Sequence, residues 1–150
     1  MRLYTSYYGN IKKIPKDYFV VSVSGGLPDE LKLIVDSWDT KLAPSKSIFF
    51  DYKKDRDQEK YSSRFKDEIL PKVDWLETLE LWEEKANKIN KNIESIVICC
   101  YETPEDFCHR HILAEHFENE FKTIVEEFGT KNMIRDGYKL IIENNTDILF

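Results

Sequence analysis

The central stretch of the chain, residues 96–114, reads Ile-Val-Ile-Cys-Cys-Tyr-Glu-Thr-Pro-Glu-Asp-Phe-Cys-His-Arg-His-Ile-Leu-Ala. Its first part, from Ser95 to Tyr101, is almost entirely apolar and rich in Ile and Val, which predicts a strand covered on both faces, typical of a parallel sheet. The next four residues have the composition of a helix start. Thr103 can cap the helix, Pro104 suits its first position, and the two acids that follow favour the positive end of the helix dipole. A strand that leads into a helix N-terminus is where open α/β sheets bind ligands.

Apolar residues continue beyond this start at close to helical spacing, and Gly129 follows them as a stop signal. These residues are Phe107, Ala114, Phe117, Phe121, Ile124, Val125 and Phe128. We therefore predict a helix that starts at the Thr103 cap and runs to about Phe128. Free N–H groups at such a helix start favour anions.

Nucleophilic, acidic and basic side chains gather at this junction. Cys100 ends the strand and Cys108 lies near the first helical turn, where thiols have lowered pKa values and higher reactivity. Glu102 can act as an acid or a base, and Arg110 suits a carboxylate or phosphate. The candidate catalytic residues are Cys100, Glu102, Cys108 and His109. Arg110 is a candidate ligand-binding residue.

The alternative for both thiols is an ordinary buried position, since free Cys is common as a small apolar residue. We expect this for Cys99, because strand alternation sends it to the opposite face from Cys100. Adjacent helical positions 108 and 109 point about 100° apart, so we expect His109 to serve the other thiol or a substrate more easily than Cys108.

Further ligand-binding candidates come from other parts of the chain. Tyr61 and Arg64 lie three residues apart on a predicted helix and share a face, where they can stack on a base or hold a phosphate. A loop cation, Lys46 or Lys53, is a candidate for reaching an anionic ligand. The last two candidates are Ser24, which precedes a Gly pair after a strand, and Tyr4 of the first strand. For all of these, packing or a solvated surface is the alternative.

The central segment resembles the signature of the domain-of-unknown-function 488 family, also called the YeaO-like family. The residues that carry the resemblance are Cys100, Glu102, Pro104, Asp106, Cys108, His109 and Arg110. Three further blocks resemble the family in the same order: the opening residues 3–10, residues 41–45 with 52–53, and residues 61–65. The resemblance covers about residues 2–125. It implies a small α/β domain of bacterial or phage type with no settled activity.

The rest of the chain predicts a Rossmann-like three-layer fold, a mainly parallel sheet flanked by helices, as one domain over residues 1–150. We predict strands at 2–8, 18–24 and 48–50, helices at 28–38, 58–70 and 74–89, and a last strand at 138–143. Residues 129–150 form a C-terminal extension outside the resemblance. Ile148-Leu149-Phe150 suggests a buried tail or an oligomer contact, and the oligomeric state stays open.

Composition limits the possible partners. The net charge of −6 argues against broad binding to duplex nucleic acid through phosphate neutralisation. The sequence has no run of about 18 apolar residues and no signal-peptide core, so we predict a cytoplasmic protein without a membrane span. Its three cysteines are then expected to be reduced.

Four functional hypotheses remain. The first is a protein that binds or acts on a nucleotide-like or other anionic small molecule at the Cys-x-Glu and Cys-His-Arg site. The second is a thiol-dependent enzyme with Cys100 or Cys108 as nucleophile, and the third is a structural or interaction protein. No cofactor or metal ligand is predicted. Zinc is a fourth alternative, because the residue types suit it but the spacing matches no standard zinc pattern.

Overall fold

A computed structural model of the protein describes residues 1–130 and 133–142. Its centre is a parallel sheet of five strands: β1 (Arg2–Tyr7), β2 (Phe19–Ser22), β3 (Ser37–Trp38), β4 (Ser95–Cys100) and β5 (Glu126–Glu127). The strands lie in the order β3-β2-β4-β1-β5. Because all five run in one direction, their C-terminal ends meet at the same edge of the sheet.

The central position of β4 confirms the prediction made from its composition. It pairs with β1 from Ser95 to Cys100 and with β2 from Ile96 to Cys99. Both faces of such a strand are covered, which is why the run carries almost no polar residue. The α/β class and the parallel sheet are therefore as the sequence predicts.

Four α-helices pack on one face of the sheet, and short 3-10 segments such as Tyr8–Lys13 pack on the other. The helices are α1 (Lys46–Asp55), α2 (Gln58–Glu68), α3 (Trp75–Lys88) and α4 (His109–Phe121). The first three begin at a side-chain cap, since Ser45, Asp57 and Asp74 each accept a hydrogen bond from a backbone N–H three residues later. The result is a three-layer arrangement of helices, sheet and 3-10 segments.

Strand alternation divides the core into two clusters. Cys100 points into the larger cluster beneath the helices, together with Ile96 and Ile98. Cys99 points into the smaller cluster under the 3-10 segments, together with Val97. The prediction that the neighbouring cysteines occupy opposite faces is confirmed.

Two predicted elements are wrong. Residues 28–38 hold a 3-10 turn at Asp29–Leu31 and the short strand β3 instead of a helix. Residues 48–50 belong to α1 instead of a strand. A three-residue apolar run does not distinguish the two periodicities, and the Ser45 side chain, which accepts from the Ile48 N–H, favours the helix.

The helix after β4 starts and ends inside the predicted bounds. Residues 103–106 form a turn in which Thr103 Oγ1 donates to Asp106 at 2.8 Å and the Asp106 N–H donates to the Thr103 carbonyl. α4 begins only at His109 and ends at Phe121, after which Lys122 adopts a left-handed backbone conformation with φ of 52°. Eight residues, 101–108, therefore connect β4 to α4 and lie at the sheet edge. The prediction that the helix runs to about Phe128 is wrong, because Glu126–Glu127 form β5.

After β5 the chain forms an antiparallel hairpin of β6 (Met133–Asp136) and β7 (Lys139–Ile142). β7 confirms the predicted last strand, but it pairs with β6 instead of extending the main sheet. Residues 148–150 lie outside the described residues. Within the described part of the chain, no helix has both the length and the apolar composition to cross a membrane.

Candidate functional site

A cavity of about 650 Å³ opens at the C-terminal edge of the sheet. Its floor comes from the ends of β2 and β4, and its wall comes from α1, α2 and the loop before α4. The lining residues include Ser24, Gly25, Gly26, Lys46, Phe49, Phe50, Tyr52, Lys53, Arg56, Tyr61, Cys100, Tyr101, Glu102, Phe107, Cys108 and His109. This is the edge where the sequence predicts the site.

Three potential ligand atoms converge on the cavity floor. One from each of Cys100, Cys108 and His109 lies within 4.8 Å of the other two, and all three residues are buried. Cys100 ends β4, while Cys108 precedes α4 with extended backbone angles, φ −155° and ψ 142°. Because Cys108 is not helical, the 100° offset between helical neighbours does not apply, and its Sγ lies 3.9 Å from His109 Nδ1.

The neighbours of His109 determine its tautomer. Its Nε2 lies 2.7 Å from the carbonyl oxygen of Val23, which can only accept, so Nε2 carries the proton. Burial lowers the pKa of His109 to about 4, and the ring is neutral at pH 7. The free lone pair on Nδ1 therefore points toward Cys108.

The sulfur atoms of Cys100 and Cys108 are paired as a disulfide, whereas the sequence predicts reduced cysteines, and the two Cα atoms lie 7.9 Å apart. Disulfides usually span about 4.4–6.8 Å between Cα atoms, and pairs beyond about 7 Å need backbone movement to form the bond. Reduction of this pair gives two facing thiols at the end of β4 and before α4. The Cys100 thiol also lies 3.7 Å from Glu102 Oε2, at the limit of a sulfur hydrogen bond.

The structure places Arg110 behind the site and outside the cavity lining. Its side chain has no exposed surface, and it forms an ion pair of 2.9 Å with buried Glu127. Its Nη1 donates to the Glu102 carbonyl at 2.6 Å and to Cys100 Sγ at 3.1 Å. Arg110 thus holds the loop after β4 and the Cys100 side chain in place.

The C-terminal hairpin supports the same loop from the other side. The Cys108 N–H donates to the Tyr138 carbonyl at 3.0 Å, and the Leu140 N–H donates to the Pro104 carbonyl at 2.8 Å. The Tyr138 ring also packs edge to face against Phe107. These contacts hold Cys108 in the extended conformation that brings it to Cys100.

The walls of the cavity are cationic and aromatic. Three cations, Lys46, Lys53 and Arg56, line it beside the single carboxylate Glu102 among the described residues. Lys53 lies over the Phe49 ring. Lys46 and Lys53 are among the candidates that the sequence names for reaching an anionic ligand, and the structure adds Arg56 beside them. The aromatic wall consists of Tyr52, Tyr61 and Phe107. The sequence names Tyr61 as a stacking candidate but does not show that the three rings meet, because they come from α1, α2 and the loop before α4.

The remaining candidates lie in different places. Ser24 and Tyr61 line the cavity, and burial raises the pKa of Tyr61, so its hydroxyl keeps its proton. Arg64 lies outside the lining in ion pairs with Asp51 and Glu68. Tyr4 lies on the opposite face of the sheet, where it packs against Tyr18 and Phe128.

Comparison with curated proteins and with solved structures finds no match. A family model described as the "Active DUF488-N3 subclade" matches residues 12–121. The match contains β2, β4, α1 to α4 and every residue that we place on the cavity floor, and it leaves out β1 and the C-terminal hairpin. It covers well over half of the chain, so the protein belongs to the DUF488 family.

Proposed function

We propose that the protein binds a nucleotide-like or other anionic small molecule in the cavity and acts on it with the side chains of the floor. The observation that carries this proposal is the meeting of a cationic wall with the cluster of Cys100, Glu102, Cys108 and His109 in one cavity. In a chain of net charge −6, a local excess of cations attracts anions to this one place.

The positions of the cations suit a phosphate or carboxylate. Lys46 and Lys53 extend from α1 and, like Arg56, are solvent-exposed. A ligand anion near them replaces water at low desolvation cost. The rest of the ligand then reaches inward to the thiols and His109.

The aromatic wall suits a planar ring. Tyr52, Tyr61 and Phe107 pack edge to face or tilted against one another with ring centroids 5.1–5.5 Å apart. Tyr101 is half exposed at the cavity mouth. Aromatic side chains stack on nucleobases, with about 1–3 kcal/mol for each stacked base, which favours a nucleotide-like ligand over a purely aliphatic acid.

The test is a binding screen of nucleosides, nucleoside monophosphates and diphosphates, and simple carboxylates by calorimetry on metal-free, reduced protein. We expect nucleotides to bind more tightly than nucleosides. Lys53→Ala should weaken binding of the best ligand about 10- to 100-fold, since a charge-assisted hydrogen bond contributes about 1.5–3 kcal/mol.

Lys54→Ala is the matched control, because Lys54 is the next residue of α1, is exposed, and lies outside the cavity lining. We expect wild-type affinity from it. Equal affinities of Lys53→Ala and wild type, or no binding by any compound of the panel, would contradict the proposal.

A thiol-dependent reaction is the second candidate, favoured by the 3.9 Å approach of Cys108 Sγ to the free Nδ1 of His109. In the reduced protein His109 would take the Cys108 thiol proton and the thiolate would attack an electrophilic carbon of the bound ligand. The bond from that carbon to its leaving group would break, and His109 would return the proton to the leaving group. A covalent adduct on Cys108, detected by intact-mass measurement after incubation with the best ligand, would support it. Turnover retained by Cys108→Ser would count against it.

A further inference from the structure

Two of the three atoms on the cavity floor, Cys108 Sγ and His109 Nδ1, have the separation that a tetrahedral metal ion requires, and the two sulfur atoms move apart to that separation once their disulfide is reduced. Zinc binds thiolate sulfur at about 2.3 Å and imidazole nitrogen at about 2.0–2.1 Å, so its ligand atoms lie about 3.5–3.8 Å from one another. Cys108 Sγ and His109 Nδ1 are 3.9 Å apart. With Cys100 included, all three atoms lie within 4.8 Å.

The backbone separation of the two cysteines also suits a bridging ion. Their Cα atoms lie 7.9 Å apart, beyond the usual limit of about 7 Å for a disulfide. A zinc ion between the two sulfur atoms of the reduced pair adds length to the link, which suits this wider separation of the Cα atoms.

The surroundings of the cluster resemble those of metal ligands in proteins. A metal-bound His usually donates its other ring N–H to a carbonyl or carboxylate, and His109 Nε2 donates to the Val23 carbonyl at 2.7 Å. Thiolate ligands are commonly held by outer hydrogen bonds, and Arg110 Nη1 donates to Cys100 Sγ at 3.1 Å. Both partners orient the ligand atoms toward one point.

From these contacts we propose that Cys100, Cys108 and His109 bind one divalent transition-metal ion, with zinc preferred, through two sulfur atoms and Nδ1. Two sulfurs and one nitrogen suit zinc. The fourth position faces the cavity, which is the arrangement of zinc sites that keep a place for water or a ligand atom. This proposal goes beyond the ligand-binding function and does not require the anionic ligand.

The test uses the full-length chain, purified under reducing conditions, and the metal ion alone as the probe. We expect about one zinc ion per chain by elemental analysis after dialysis against zinc and buffer. Cobalt(II) in its place should give a thiolate-to-metal charge-transfer band in the near ultraviolet and the visible bands of tetrahedral cobalt.

The chain contains its own control cysteine. Cys99 is buried and points to the opposite face, so Cys99→Ala should bind cobalt like the wild type. Cys108→Ser and His109→Asn should each weaken binding at least about 100-fold, because loss of an outer partner alone costs about 10–100-fold. Circular dichroism checks that each variant is folded.

A second measurement on the wild type does not depend on variants folding. Zinc should slow the alkylation of Cys100 and Cys108, followed residue by residue by mass spectrometry, and leave the rate at Cys99 unchanged. The proposal is overturned if reduced wild-type protein binds less than a stoichiometric amount of metal or if Cys108→Ser binds as wild type does. Nucleotide binding is measured on metal-free protein, so its failure is distinguishable from failure of the metal site.

Discussion

The buried ion pair between Arg110 and Glu127 offers the sharpest test of how the site is held. The two side chains are 0% and 1% exposed and meet at 2.9 Å, and Thr5 Oγ1 also donates to Glu127 at 2.5 Å. Glu127→Gln keeps the size and removes the charge, so the Arg110 guanidinium stays buried without its counter-ion. Removing one partner of a buried pair costs about 3–5 kcal/mol, a large part of the total stability of about 5–15 kcal/mol of a domain.

The neighbouring residue supplies the matched control. Glu126 forms an ion pair with Arg2 at 2.7 Å, but these side chains are 65% and 48% exposed. Exposed pairs contribute about 0–1 kcal/mol, so Glu126→Gln should change stability very little. Because the two ion pairs have almost the same distance, a difference in stability between the two variants reflects the burial of the pair.

Equilibrium urea unfolding followed by far-ultraviolet circular dichroism measures both variants. With a slope of about 1–3 kcal/mol per molar urea, Glu127→Gln should lower the midpoint by about 1 M or more. Glu126→Gln should shift it by less than about a third of that. Equal midpoints for the two variants would refute the view that Arg110 is a buried positioning residue that needs Glu127.

Three more predictions follow from particular contacts. Phe65→Ala, at a fully buried side chain of α2, should lower the free energy of unfolding by about 3–5 kcal/mol, and a midpoint shift below about 0.5 M in urea would contradict this. Asp74→Ala removes the cap of α3 and should lower the free energy of unfolding by about 1 kcal/mol. Its control is Glu80→Ala, at an exposed position of the same helix, which should leave the free energy of unfolding unchanged. Truncation after residue 130 removes the backbone partners of Cys108 and Pro104. Amide hydrogen exchange of residues 103–108 should then become faster, while that of β4 stays slow. An unchanged exchange rate in residues 103–108 would contradict the supporting role of the hairpin.

The position of the site could be predicted because it depends on local sequence. The apolar run of β4 predicts a central parallel strand, and parallel strands bring their C-terminal ends to one edge. Alternation along that strand then separates Cys99 from Cys100 without any knowledge of the fold. The position of Cys100 on the cavity floor follows from these two rules.

The local conformation of the site could not be predicted in the same way. The segment from Thr103 to Asp106 has helix-start composition, but the Cys108 N–H pairs with the Tyr138 carbonyl, thirty residues further along the chain. That long-range contact keeps Cys108 extended and delays the helix to His109. Nothing in the local sequence encodes it.

The role of Arg110 depends on a distant partner as well. An arginine beside a helix N-terminus is well suited to an anionic ligand, and the sequence alone favours that role. Its actual partner Glu127 lies 17 residues later in the two-residue strand β5, which is too short for sequence patterns to reveal. Burial of both charges then turns the arginine inward.

The central claim is that three separate chain segments form one ligand site at the C-terminal edge of the sheet. Hydrogen–deuterium exchange of wild-type protein, with and without the tightest ligand of the nucleotide panel, tests it most directly. We expect slower exchange in residues 24–26, 46–56 and 100–109 together, and no change in residues 29–35 on the other side. Protection that is absent from these three segments, or that falls on residues 29–35 instead, would contradict the claim.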